Sequence, residues 1–267
     1  MVRILFILLL IPSIVYAGPT FYERFEEDPG YDETSGGIGG NWYEVTGGSS
    51  TVDPDYEGSN DGDPACWGTQ SLEMHCYGGV DCETSMTFDS TQDPFYVRWE
   101  WVWYQESASD TNRTFAGVIE GDAGEDILFW SIGQDSGPVY YVIFCGDETG
   151  WTCANEIDKY TVTLGTKYVF EYYYEDGVGM EVKVNGVSVG SLGAAYATDG
   201  GAKKFVFYHD DYQPNFQFTY YADNLAIRND TWVGTVICGG ALGGLTEPEN
   251  IGGVADATTI GGVILQR

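Results

Sequence analysis

Between Lys167 and Leu192 the chain reads KYVFEYYYEDGVGMEVKVNGVSVGSL, a pattern that suits a pleated sheet and little else. Tyr168, Phe170, Tyr172 and Tyr174 alternate with Val169, Glu171 and Tyr173, and Met180, Val182 and Val184 alternate with Glu181 and Lys183. A period of two puts successive side chains on opposite faces of a strand. Asn185-Gly186 then joins the second strand to a third. Asn-Gly favours a tight hairpin because both central residues of such a turn need positive φ. The stretch predicts an antiparallel meander.

The heaviest strand precedes it. In FYVRWEWVWY, Phe95, Val97, Trp99, Trp101 and Trp103 form one face and must be core, while Tyr96, Arg98, Glu100, Val102 and Tyr104 form the other. That second face mixes aromatic rings with charge, as does a sheet face that meets a polar ligand. Shorter alternating runs predict strands over 21–25, 42–45, 71–76, 115–119, 127–132, 139–145, 160–164, 204–208, 216–221 and 225–228. The acidic stretch 51–68 reads as a loop. No run of ten or more residues has helical periodicity, so the fold class is all-β, a two-sheet antiparallel sandwich.

Arg3 followed by the apolar run 4–16 and Val15-Tyr16-Ala17 reads as a secretory signal over residues 1–17, too short for a comfortable membrane span. The chain is therefore expected to be exported, with no transmembrane segment after signal removal. A sandwich over residues 18–233 and a Gly-rich tail over 234–267 complete the organisation. The tail repeats Leu-Gly-Gly-Leu, Ile-Gly-Gly-Val and Ile-Gly-Gly-Val every nine residues. It reads either as a flexible end or as strand-forming sequence that adds to a neighbour's edge and drives self-association. The latter would make the chain a structural exoprotein.

Six cysteines in an exported chain favour disulfides, with fifteen pairings formally open. Cys145 with Cys153 is the most local pair, Cys76 with Cys82 the next, and Cys66 with Cys238 remains. The formal charge of −30 excludes a nucleic-acid partner, since phosphate binding needs clustered Lys and Arg. It attracts cations instead, Ca²⁺ above all. Asp53-Pro54-Asp55-Tyr56-Glu57-Gly58 begins like a helix–loop–helix calcium loop, but Pro64 stands where the bidentate Glu belongs.

FYERFEE near the start, SLEMH, FYVRWEWVW, LGTKYVFEYYYEDGVGMEVKVNGVSVGS and FTYYADNLAIRND together resemble, in order and character, the concanavalin A-like lectin/glucanase superfamily, the laminin-G-like jelly roll. The resemblance spans roughly residues 20 to 232. It implies two stacked antiparallel sheets, one concave and often sugar-binding, on a fold that hosts lectins, hydrolases, lyases and adhesion modules alike. It also implies a structural Ca²⁺ tying the first strand to the last, with Glu26 and Asp223 at the matching positions.

Three site readings follow. The resemblance and the mixed face of residues 95–104 point to a carbohydrate surface built from Tyr96, Arg98, Glu100, Glu171, Tyr173 and Tyr208, the alternative being ordinary cross-strand pairs. Glu120-Gly121-Asp122-Ala123-Gly124-Glu125 matches the Glu-x-Asp-x-x-Glu spacing of the superfamily's laminarinase-like retaining hydrolases. Its two glycines and alanine, lying between two predicted strands, read better as a hairpin loop or a cation site. Lyase chemistry would need Tyr208 or His209 beside Arg98. The expectation is a secreted, non-catalytic module that binds glycan or a cell surface, with a glycan-cleaving enzyme as the alternative.

Overall fold

In the computed structural model the backbone is described over residues 21–23, 33–35, 42–46, 51–57, 70–75, 82–106, 113–135, 139–148, 153, 155–209, 218–233, 236–238, 257–260 and 263–266. Side chains are described at 72, 74, 83–103, 115–134, 139–146, 153, 155–208 and 219–233. The strands in chain order are β1 (Phe21–Glu23), β2 (Glu33–Ser35), β3 (Trp42–Thr46), β4 (Thr51–Glu57), β5 (Gln70–His75), β6 (Cys82–Gln92), β7 (Phe95–Glu106), β8 (Arg113–Gly121) and β9 (Asp126–Asp135). They continue as β10 (Val139–Glu148), β11 (Glu156–Val162), β12 (Lys167–Glu175), β13 (Gly179–Val184), β14 (Val187–Gly193), β15 (Ala202–His209) and β16 (Phe218–Arg228).

Among the described residues these form two antiparallel sheets. A nine-stranded sheet runs β14-β13-β12-β7-β16-β1-β2, with β5 also on β16 and β4 on β5. A seven-stranded sheet runs β11-β10-β9-β8-β15-β6-β3. The chain is thus the expected two-sheet sandwich, and its 167–192 meander is β12, β13 and β14. Asn185 and Gly186 have φ of 52° and 77°, the left-handed pair that the turn requires.

The tryptophan face of β7 is the core. Phe95, Val97, Trp99, Trp101 and Trp103 are buried to 1% exposure or less, and Trp99 meets Trp130 of the opposite sheet at 4.9 Å between ring centroids. Phe205 and Phe207 pack edge-on against Trp99. Gly117 lies opposite Trp130 in register, and a side chain there would run into the indole. The core therefore specifies its glycine as firmly as its tryptophans.

Two expectations are corrected, and one strand was missed. Residues 51–57, assigned to a loop and compared with a calcium loop, form β4 instead. Pro54 lies at a register shift between Asp53 and Tyr56 on an edge strand, where a missing N–H is tolerated. Strand β6 was not anticipated, because its outer positions Glu83, Thr87 and Asp89 are polar; Thr84, Met86 and Phe88 face the core. The two strands expected at 216–221 and 225–228 are one, β16, whose register shifts between Asp223 and Ala226 with Asn224 at φ 52°. In the tail, β17 (Val236–Cys238), β18 (Ala257–Ile260) and β19 (Val263–Gln266) form a three-stranded sheet of their own. Ile260 pairs with Val263 across the third Gly-Gly, so that repeat joins two strands.

Candidate functional site

The outer face of the nine-stranded sheet collects five of the six residues assigned to a carbohydrate surface. Strand β12 runs antiparallel beside β7, with Tyr173 opposite Tyr96 and Glu171 opposite Arg98. Directly opposed residues share a face. Strand β13 adds Glu181 opposite Tyr173 and Lys183 opposite Glu171, while β16 sets Ala226 opposite Arg98 and Asp223 opposite Glu100. Tyr208 does not belong to this group. It lies on β15 of the other sheet, on the outward side with Val206, because Phe205 and Phe207 take the core positions.

At one end of the face the residues are charged and buried. Arg98 is 2% exposed and Glu100 1%. Arg98 Nη2 donates to Glu100 Oε1 at 3.1 Å, and Lys167 Nζ reaches Glu100 Oε2 at 3.0 Å. Arg98 Nη1 is buried without a hydrogen-bond partner. Glu171 is 8% exposed; burial pushes its carboxyl pKa up, opposed by the charges of Arg98 and Lys183. Asp223, 2% exposed, accepts the backbone N–H of Asn224 at 2.7 Å.

At the other end the residues are aromatic and half-buried. The Tyr96 and Tyr173 rings stack at 4.8 Å between centroids with 29° between planes. Trp232, from the turn after β16, stands edge-on to Tyr96 at 5.6 Å and tilted to Tyr173 at 6.0 Å. Lys183 Nζ sits 3.4 Å from the centroid of the Trp232 ring, a cation–π contact. The Tyr173 hydroxyl donates to Glu175 Oε2 at 2.5 Å. Burial first, then that bond, raises the Tyr173 pKa. Burial and the charges of Glu175 and Asp230 raise that of Tyr96. Asp230 is held below the usual carboxylate range chiefly by Arg228, whose Nε and Nη2 donate to it at 2.7 and 2.8 Å. Sequence reading missed Trp232 and Lys183. Lys183 was legible from the alternation of β13, but nothing local to Asn229-Asp230-Thr231-Trp232 announces that the chain turns back over the sheet.

The remaining candidates lie elsewhere. Glu120 is the penultimate residue of β8 and pairs with Asp126, and the Gly121 N–H donates to the Glu125 carbonyl, so the stretch is a hairpin with Asp122 exposed on its turn. Glu120 Oε1 lies 3.4 Å from Lys204 Nζ, which also binds Glu83 Oε1 at 2.8 Å. The lyase grouping of Tyr208 or His209 with Arg98 is not formed, since β15 and β7 belong to different sheets and both Tyr208 and Arg98 point away from the core. Cys145 and Cys153 are joined, with Cα atoms 5.4 Å apart. Cys66 and Cys76 lie outside the described residues, as do the side chains of Cys82 and Cys238. Glu26 is outside them too, although β1 does pair with β16, Glu23 opposite Leu225. Among the described residues no group of three or more His, Cys, Asp or Glu is placed to hold a metal ion, and no helix is long and apolar enough to cross a membrane.

No family model and no curated protein matches the sequence. Among solved structures, the chain is similar to a cellulose-induced protein, Cip1, at 16% identity and TM-score 0.43, over 61% of this chain and 80% of that one. The receptor-binding domain of botulinum neurotoxin D aligns at 12% identity and TM-score 0.48, over 79% of this chain and 49% of that one. The alginate lyase AlyC3 aligns at 8% identity and TM-score 0.46, over 60% and 75%. The chain spans about half the length of the neurotoxin domain it matches.

Proposed function

We propose that the chain is an exported, non-catalytic β-sandwich module of the concanavalin A-like kind, and that it binds glycan through the aromatic end of its nine-stranded sheet. One observation carries this reading: Tyr96, Tyr173 and Trp232, from three separate parts of the chain, meet as a half-exposed aromatic group beside carboxylates. The C–H face of a pyranose packs on such rings, and carboxylates accept its hydroxyl donors. The buried Arg98–Glu100 pair, joined from the exposed side by Lys167, acts as the rigid floor on which the rings stand. Rigid support of this kind lowers the ordering cost of binding.

A Ca²⁺ held through Asp223 and Glu26 belongs to the same proposal. The pairing of β1 with β16 supports it, because it brings the first strand beside the strand that carries Asp223.

The test is titration of the exported chain with a panel of oligosaccharides, followed by tryptophan fluorescence and calorimetry. Trp232→Ala is expected to weaken binding about tenfold or more, corresponding to about 1.4 kcal/mol. Unchanged affinity in that variant would remove the site. Turnover of any glycan in the panel that is abolished by Glu120→Gln would replace the binding reading with the enzymatic one.

A further inference from the structure

From the charges around that aromatic group we infer the ligand class: an uncharged, hydroxyl-rich glycan, with uronate and sulfated polymers rejected. The inference rests on the glycan-binding reading and narrows it.

Three of the four basic side chains described on this face stand in ion pairs and the fourth lies over a ring, although Arg98 Nη1 itself is buried without a partner. Arg98 and Lys167 both bind Glu100, Arg228 binds Asp230, and Lys183 covers one face of the Trp232 ring. The two arginines, Arg98 and Arg228, are also buried, at 2% and 5% exposure. A ligand carboxylate would therefore have to break an ion pair to gain Arg98, Lys167 or Arg228, which leaves Lys183, over the Trp232 ring, as the one cation described here outside an ion pair. At Arg98 that would strand the charge of Glu100, whose side chain is 1% exposed, which is costly.

The acids are arranged differently. Glu181 stands opposite Tyr173 and makes no ion pair among the described residues. Glu175 binds only the Tyr173 hydroxyl, and that bond turns the tyrosine's proton away from a ligand. Asp230 is exposed at the turn that delivers Trp232. What the rim offers is thus acceptor oxygens on a negative field, set in a chain of formal charge −30. Sugar hydroxyls can donate to those oxygens. A uronate brings a like charge within a few ångströms of several of them, and like charges in a shared site repel unless salt screens them.

The experiment uses the full exported chain and hexasaccharides of equal length: neutral cello-, laminari-, xylo- and manno-oligomers against oligomannuronate and oligogalacturonate, at about 0.02 M and about 0.5 M salt. At least one neutral oligomer is expected to bind about tenfold or more tighter than either uronate at low salt, with the gap narrowing at high salt. Glu181→Lys, a change at a half-buried outer position that leaves the core alone, is expected to narrow the gap by strengthening uronate binding. A uronate bound by the native chain as tightly as the best neutral oligomer would overturn the ligand class while leaving glycan binding standing. A gap untouched by Glu181→Lys would also count against it. If no oligomer of either kind binds, both readings fall together.

Discussion

The two ends of one sheet face show how similar residues come to do different work. Tyr96, Arg98 and Glu100 are alternate residues of β7, and Tyr173 and Glu171 are their neighbours on β12. Yet Arg98, Glu100 and Glu171 lie at 8% exposure or below, whereas Tyr96, Tyr173 and Trp232 remain half-buried. Charge that is buried and paired holds a structure in one arrangement, and removing one member leaves the other stranded. Aromatic surface left partly in water keeps unsatisfied contact area and invites a ligand. The charged end is framework and the aromatic end is surface.

The sharpest way to break this division is to remove Glu100. Its carboxylate is 1% exposed and serves both Arg98 and Lys167, so Glu100→Ala strands a buried guanidinium. The expected loss is about 3–5 kcal/mol of stability, or on the order of 6–20 °C in Tm for a domain of this size. Thermal unfolding checks this, and a change below about 1 kcal/mol would place Glu100 in a solvated pair instead. Glycan affinity of the molecules that remain folded should fall less than in Trp232→Ala, because the floor is loosened but the rings themselves are kept. A large affinity loss without a stability loss would reverse the two roles.

That division was only half legible beforehand. The alternation of β7 and β12 identified which side chains point away from the core, and the Asn185-Gly186 hairpin located β13 beside them. Alternation cannot say what covers an outward face. Arg98 and Glu100 look identical in a sequence whether they meet water or protein, and Trp232 arrives from a turn with no periodicity. Tyr208 was misplaced for a related reason: the alternation of β15 shows that it faces outward, but which sheet β15 joins depends on pairing with β6 and β8. Strand β6 was itself hidden by a polar outer half.

Calcium tests the charged end from its other side. Asp223 lies opposite Glu100 in register and is as thoroughly buried. If it shares a Ca²⁺ with Glu26, an ion held at a hundred times its Kd stabilises the fold by about 2.7 kcal/mol. EDTA should then lower Tm by on the order of 5–10 °C, and Asp223→Asn should lower it in calcium but not in EDTA. An unaltered melting temperature in EDTA would eliminate the structural ion.

The smallest expected effect probes the boundary between the two ends, where Glu171 stands opposite Arg98 and beside Tyr173. Burial raises the Glu171 pKa above its ordinary 4.5 more than Arg98 and Lys183 lower it. The folded chain therefore holds this proton more tightly than the unfolded chain does, and between the two pKa values it binds more protons. Stability then falls as pH rises from about 4.5 through the folded-state value, because the slope follows the difference in bound protons. Glu171→Gln supplies a neutral side chain of the same shape at every pH. Its stability curve should lack that decline, so the variant gains on the native chain as pH rises and matches it most closely in acid. If the native chain instead loses stability relative to Glu171→Gln as pH falls through the acidic range, Glu171 is stabilised as an anion by Arg98. It would then belong to the paired framework, and the boundary would lie at Tyr173.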